Sequence, residues 1–133
     1  MHNEEIYILA KYRLEQAKEN LEEAIALFDI NKYKGANNRA YYSIFHAIKA
    51  ILALEQVDFK KHSSVIAYFN KNYISKKIFS RELGKRVSEA SFFREKSDYV
   101  DFYIVTKEES KAQIDTAKLM IEEAEKYINK NSK

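Results

Sequence analysis

Two short runs hold most of the side chains in this sequence that could do chemistry. The first is Asn38-Arg39-Ala40-Tyr41-Tyr42-Ser43-Ile44-Phe45-His46 and the second is Arg94-Glu95-Lys96-Ser97-Asp98-Tyr99. A guanidinium, phenols and an imidazole set among apolar residues are costly to bury unless each finds a partner. Two such runs in one short chain predict either a polar pocket between helices or a surface for a partner. Arg39 and His46 are seven positions apart, nearly two helical turns and about 10.5 Å of rise on one stripe. From there Arg39 could neutralise a phosphoryl oxygen while His46 moves a proton near neutral pH. The plainer alternative is a core histidine bonded to a carbonyl or to Asp98, with Arg39 paired to an acid.

Arg94 and Asp98, at i and i+4, can form an ion pair within one helix, leaving Tyr99 turned toward the second helix or a partner. Phe92, Phe93, Tyr99, Phe102 and Tyr103 crowd one stretch, as a subunit interface would. His62 follows Lys60 and Lys61 at the start of a short helix. It would either help hold an anion there or serve as a simple polar first residue. His2, His46 and His62 lack metal-ligand spacing, so no metal site is expected. Neither a glycine-rich phosphate loop nor a serine–histidine–aspartate set can be assigned.

These residues need a scaffold, and the composition predicts a helical one. The chain has 133 residues, two glycines, no proline and no cysteine. That length suits one domain over residues 1–133 with a single core. The absence of cysteine excludes disulfide scaffolds and thiolate chemistry. No apolar run reaches membrane-span length, and the first residues do not resemble a signal peptide, so a cytoplasmic protein with no membrane contact is expected. The net charge is only +3, but it is unevenly spread. Residues 1–30 carry three Lys/Arg against seven Asp/Glu, residues 31–99 fourteen against six, and residues 100–133 six against seven. An anionic ligand would therefore dock on the middle segment, which contains both runs. A solvated lysine-rich face with no ligand is the competing reading.

Apolar periodicity supplies the elements. Ala10, Leu14, Ala17, Leu21, Ala24 and Phe28 form a narrow seam, echoed by Ile114, Ala117, Ile121, Ala124 and Ile128 near the C-terminus. The first helix should end near Asp29-Ile30-Asn31, and a second, the most buried, should run from Lys34 to Glu55. A short third helix should span His62 to Phe69, capped by Ser63 or Ser64. Asn70 to Ser75 reads as a connection, Lys77 to Ser97 as a fourth helix, and Asp98 to Val105 as irregular. Gly84, inside the fourth helix, suggests a close backbone approach or a small bend. Thr106-Lys107-Glu108-Glu109 is a capping box opening the last helix. The expected fold is all-α, an up-and-down four-helix bundle with an additional short helix.

The same residues resemble the HEPN domain family, in its small stand-alone form. The resemblance rests on the run from Asn38 to Ala47, on Lys61, His62, Val65, Ile66 and Phe69, and on Arg94, Asp98 and Tyr99. It extends from about Tyr12 to Tyr127. It implies a helical bundle that forms a homodimer and works in a toxin–antitoxin-like pair with a minimal nucleotidyltransferase. It also implies RNA or nucleotide binding in a basic dimer cleft, and a metal-independent ribonuclease with no cofactor. The family signature is an arginine followed, after four to six residues, by histidine. After Arg94 that window falls on Tyr99, Val100 and Asp101, none of them histidine. Arg39 and His46 fit the spacing but lie on the second helix; alternatively, His46 reaches Arg94 across the bundle. The implied catalytic residues are thus His46, Arg39 and Arg94. Asn38, Tyr42, His62, Asp98 and Tyr99 are implied in binding, and Tyr99 or Tyr103 as sites of nucleotidylation. The alternative is a non-catalytic interaction module or a nucleotide-binding accessory subunit.

Overall fold

A computed structural model describes residues 3–131, so His2 lies outside the described residues. Five α-helices follow in order: α1 (Asn3–Asp29), α2 (Tyr33–Ala53), α3 (His62–Phe69), α4 (Arg81–Tyr99) and α5 (Lys107–Asn131). A single π-helical turn, Asn70–Ile74, joins onto α3. None of the described helices is long and apolar enough to cross a membrane.

The alanines of the α1 seam let α2 approach closely. Ala10, Ala17 and Ala24 are fully buried, and the Ser43 hydroxyl donates to the Ala17 carbonyl at 2.7 Å. Arg13 Nη1 donates to the Lys49 carbonyl at 3.1 Å, while Leu27 faces Gly35 at the other end. These contacts fix α1 and α2 as antiparallel neighbours. α5 returns against α1, tied by Lys18 Nζ to Glu125 Oε2 at 2.9 Å, and α4 runs against α5, with Gln113 Nε2 donating to the Ala90 carbonyl at 3.1 Å. α2 lies at the centre and contributes the longest run of buried residues, from Ala36 to Ala53. Its core neighbours include Leu14, Val65, Phe69, Leu83, Val87, Met120 and Ile128.

The capping box forms as the sequence predicts. Thr106 Oγ1 accepts the Glu109 amide at 3.0 Å, and Glu109 Oε1 accepts the Thr106 amide at 2.9 Å. Elsewhere the boundaries shift for local reasons. Lys61, not Ser63 or Ser64, occupies the cap position of α3, and no side chain caps that helix. His62 is already helical, which puts both serines too late to reach the first amides. α4 begins at Arg81 rather than near Lys77, because Lys77 is left-handed (φ 62°) and Ser80 then caps the helix through the Leu83 amide at 3.1 Å. The expected connection at Asn70 to Ser75 is instead a widened helical turn that keeps Tyr73 in the core beside Phe69 and Phe79. The Tyr73 hydroxyl donates to Glu55, as does Tyr68 at 3.3 Å, pinning the end of α2 to this turn. Corners fall on left-handed residues other than glycine: Asn31, Gln56, Lys77 and Phe102.

Gly84 packs against the π-helical turn. A Cβ at this position would lie 2.7 Å from Ile74 Cγ2 and 3.1 Å from its Cγ1. The β-branched Ile74 cannot swing clear, so Gly84→Ala should destabilise the fold by about 1–2 kcal/mol despite the better helix propensity of alanine. In an Ile74→Ala background the same change should become neutral or stabilising, as read by urea unfolding. Equal losses in both backgrounds would refute the contact.

Candidate functional site

The polar runs of α2 and α4 meet around one ring, that of Tyr42. Arg94, from α4, donates through Nη2 to the Tyr42 hydroxyl at 3.2 Å, and its guanidinium lies 5.2 Å from the Tyr41 ring and 5.7 Å from that of Tyr42. Its Nε sits 3.0 Å from Asp98 Oδ2 but off the N–H direction, so that contact is an ion pair rather than a directed hydrogen bond. Arg39 covers Tyr42 at 5.4 Å. Its own polar contacts are Asn38 Oδ1 at 3.0 Å and, more loosely, Glu23 at 3.8 Å.

His46 and His62 complete the cluster from two directions. The His46 ring centroid is 6.3 Å from that of Tyr42, one turn further along α2. The His62 ring stacks on Phe45 at 4.1 Å and meets Tyr42 edge-on at 5.7 Å, with its Nδ1 at 3.5 Å from the Tyr41 hydroxyl. His46 Nδ1 is 2.8 Å from Asn20 Oδ1. With an amide oxygen facing it, Nδ1 carries the proton of the neutral ring, which leaves Nε2 as the basic nitrogen. His46 thus takes a side-chain amide of α1 as partner together with the Tyr42 main chain one turn back, as a core histidine would, and not Asp98.

Burial, then the nearby Lys49, hold His46 below the usual histidine range. Burial, followed by Arg94 and Lys49, does the same to His62. Lys49 itself pairs with Asp58 at 3.3 Å, which also holds Arg13 at 3.4 Å. At neutral pH both imidazoles are therefore uncharged inside a ring of cations, and an entering anion would raise their affinity for protons.

The two candidate tyrosines differ in availability. Tyr99 is three-quarters exposed, at the end of α4. The Tyr103 hydroxyl donates to Glu109, and its ring lies 5.4 Å from Lys96 Nζ. That hydrogen bond pushes the Tyr103 phenol up to about 12. Like Tyr99, Phe92 is half or more exposed and Phe102 fully so, which leaves an apolar ledge of open rings around the end of α4. Among the described residues no three His, Cys, Asp or Glu side chains gather as metal ligands would.

The order of these motifs along a helical chain has a counterpart among known proteins: the family model for the HEPN domain matches residues 10–127. The chain belongs to the HEPN domain family. Among HEPN relatives, a protein of Methanocaldococcus jannaschii named "Putative toxin" is 32% identical over 119 residues, covering 89% of this chain and 81% of the relative. A second protein of that organism with the same designation is 32% identical over 115 residues, covering 86% of this chain and 85% of its own. A "UPF0332 protein" of Thermotoga maritima is 31% identical over 120 residues, covering 90% and 91%.

Asn20, Arg13, Lys49 and Asp58 were not singled out by sequence reasoning. The antiparallel pairing of α1 with α2 across a tight turn is the signal that places Asn20 near His46. For Asp58 no local signal exists, since it sits in the irregular stretch after α2.

Because both imidazoles bind protons more weakly in the folded chain, the unfolded chain takes up more protons as pH falls below about 6.5. Stability should be fully present above that value and decline as pH falls below it through the depressed folded-state values. Urea unfolding across this range should show the decline, and His46→Gln with His62→Gln should flatten it. An unchanged slope in the double variant would contradict the assignment.

Proposed function

We propose that this HEPN-family chain binds RNA or nucleotide phosphates at the Tyr42 cluster. In this reading it acts as the toxin-like member of a pair with a nucleotidyltransferase. The observation that carries the reading is the meeting of Arg94 with Tyr42, inside reach of Arg39, His46 and His62. Several cations around stacked aromatic rings suit a phosphate flanked by unpaired bases. The designation of two relatives as putative toxins supports the toxin-like role. A homodimer would bring two clusters to one cleft, with the Phe92, Tyr99 and Phe102 ledge at the contact.

In the ribonuclease version, His46 Nε2 removes the proton from a ribose 2′-hydroxyl and the freed oxygen attacks the adjacent phosphorus. Arg39 or Arg94 balances the charge gathering on the phosphorane. The 5′-oxygen leaves as an alcohol, taking a proton from the imidazolium or from water, and a 2′,3′-cyclic phosphate remains. Asn20 holds the imidazole in the tautomer this requires.

A second reading has its own support. Arg94 is already matched by Asp98 and Tyr42 and is only 18% exposed, which favours binding without cleavage.

The test is cleavage of single-stranded RNA in the presence of a chelator. His46→Ala should lower the rate by about 10²–10⁴-fold while the oligomer persists in sedimentation. Oligonucleotide binding with no cleavage by the wild type would select the binding reading, and absence of both would overturn the proposal. For the paired role, incubation with the cognate nucleotidyltransferase and ATP should add a nucleotidyl group to Tyr99, whose hydroxyl is open. Mass spectrometry should find the addition lost in Tyr99→Phe and retained in Tyr103→Phe.

A further inference from the structure

A strongly basic patch lies at the end of α4 remote from the Tyr42 cluster. Between residues 70 and 86 stand Lys71, Lys76, Lys77, Arg81, Lys85 and Arg86, with Glu82 the one acid. Among the described residues, Lys71, Lys77, Arg81 and Lys85 form no ion pair, and all four are exposed. Lys77 and Arg81, with Ile74 and Ser75, line a hollow of about 550 Å³. Unpaired cations gathered around a hollow are a surface for a polyanion rather than a solvated fringe of alternating charges.

The patch connects to the Tyr42 cluster along one seam. α3 and the π-helical turn run back beside α4. Ile74 meets Gly84, Asn70 Nδ2 reaches Ser88 Oγ at 3.4 Å, and His62 with Arg94 stand at the far end. Arg81 and Arg94 are thirteen residues apart on α4, about 20 Å of helix. In the stretch between, Glu82 and Glu89 offset Lys85 and Arg86. A bound strand would therefore be gripped at the two ends and only loosely along the middle.

Resting on the RNA reading above, we propose that single-stranded RNA leaves the Tyr42 cluster along the α3–α4 seam and sets its backbone on Lys77 and Arg81. The patch reads charge rather than sequence, and it favours an extended strand over a mononucleotide. A single strand fits because its phosphates can be spaced to suit two separated grips while its bases remain free for the aromatic end.

The test is the double variant Lys77→Asn/Arg81→Gln. Asparagine accepts the left-handed backbone that Lys77 adopts (φ 62°), and glutamine keeps helix propensity at the start of α4. An unchanged melting temperature checks the fold. Two probes are titrated: a dinucleotide and a single-stranded RNA of about ten nucleotides, within the range of roughly 4–16 known for single-strand sites. The longer probe should bind on the order of tenfold more weakly at 0.1 M salt, with its salt slope reduced by about 1.4, and the dinucleotide should be unaffected. Equal losses for both probes, or none for either, would overturn the RNA track and leave the Tyr42 site standing. Failure of the wild type to bind either probe would remove both.

Discussion

The guanidinium of Arg94 is the charge around which this molecule is arranged. It is mostly withdrawn from water, and such a charge is tolerated only when a counter-charge and polar or aromatic contacts are close. Asp98 supplies the counter-charge from one turn along α4. Two consecutive tyrosines of α2 supply the rest, one through its hydroxyl and both through their faces. Their orientation favours one register of α4 on α2, since a slide of one turn would take the guanidinium off the Tyr42 hydroxyl and both rings. The same contact turns the Tyr42 ring so that Arg39, His46 and His62 stand around it. Fold and site thus share one interaction.

The electrostatics of the cluster follow from its crowding. Lys49 lies near both imidazoles, with Arg13 beside His46 and Arg94 beside His62, and Asp58 and Asp98 are already engaged by these cations. Withdrawal from solvent disfavours further protonation, and the neighbouring cations disfavour it again. The result is a neutral imidazole next to fixed positive charge, the combination a proton acceptor beside a phosphate needs. It also makes proton uptake a partner of anion binding, because a phosphate would reverse the sign of the local field.

Much of this was legible in the sequence, and the exceptions have physical causes. The seams of α1 and α5, the capping box at Thr106, the buried character of α2 and the Arg94–Asp98 pair all depend on spacing within one helix. Spacing is what a sequence displays. Gly84 likewise announced a close approach, though not its partner Ile74. The partner of His46 could not be read, because Asn20 is unremarkable in its own helix and acquires meaning only once α1 lies against α2. The start of α4 was misplaced because apolar periodicity continues through Ile78 and Phe79, while the backbone there reverses at Lys77. The π-helical turn was invisible for a similar reason: its residues have ordinary helical character, and only core packing selects the wider turn.

The corners of the chain carry one more implication. Asn31, Gln56, Lys77 and Phe102 turn it through left-handed backbone, a conformation that glycine would adopt without strain. Each non-glycine corner raises the energy of the native state by about a kilocalorie per mole. Each also restricts the denatured ensemble, which has less freedom to gain on melting than a chain hinged on glycine. The two effects oppose each other, so a glycine placed at one of these reversals would relieve the folded chain and free the denatured one at the same time.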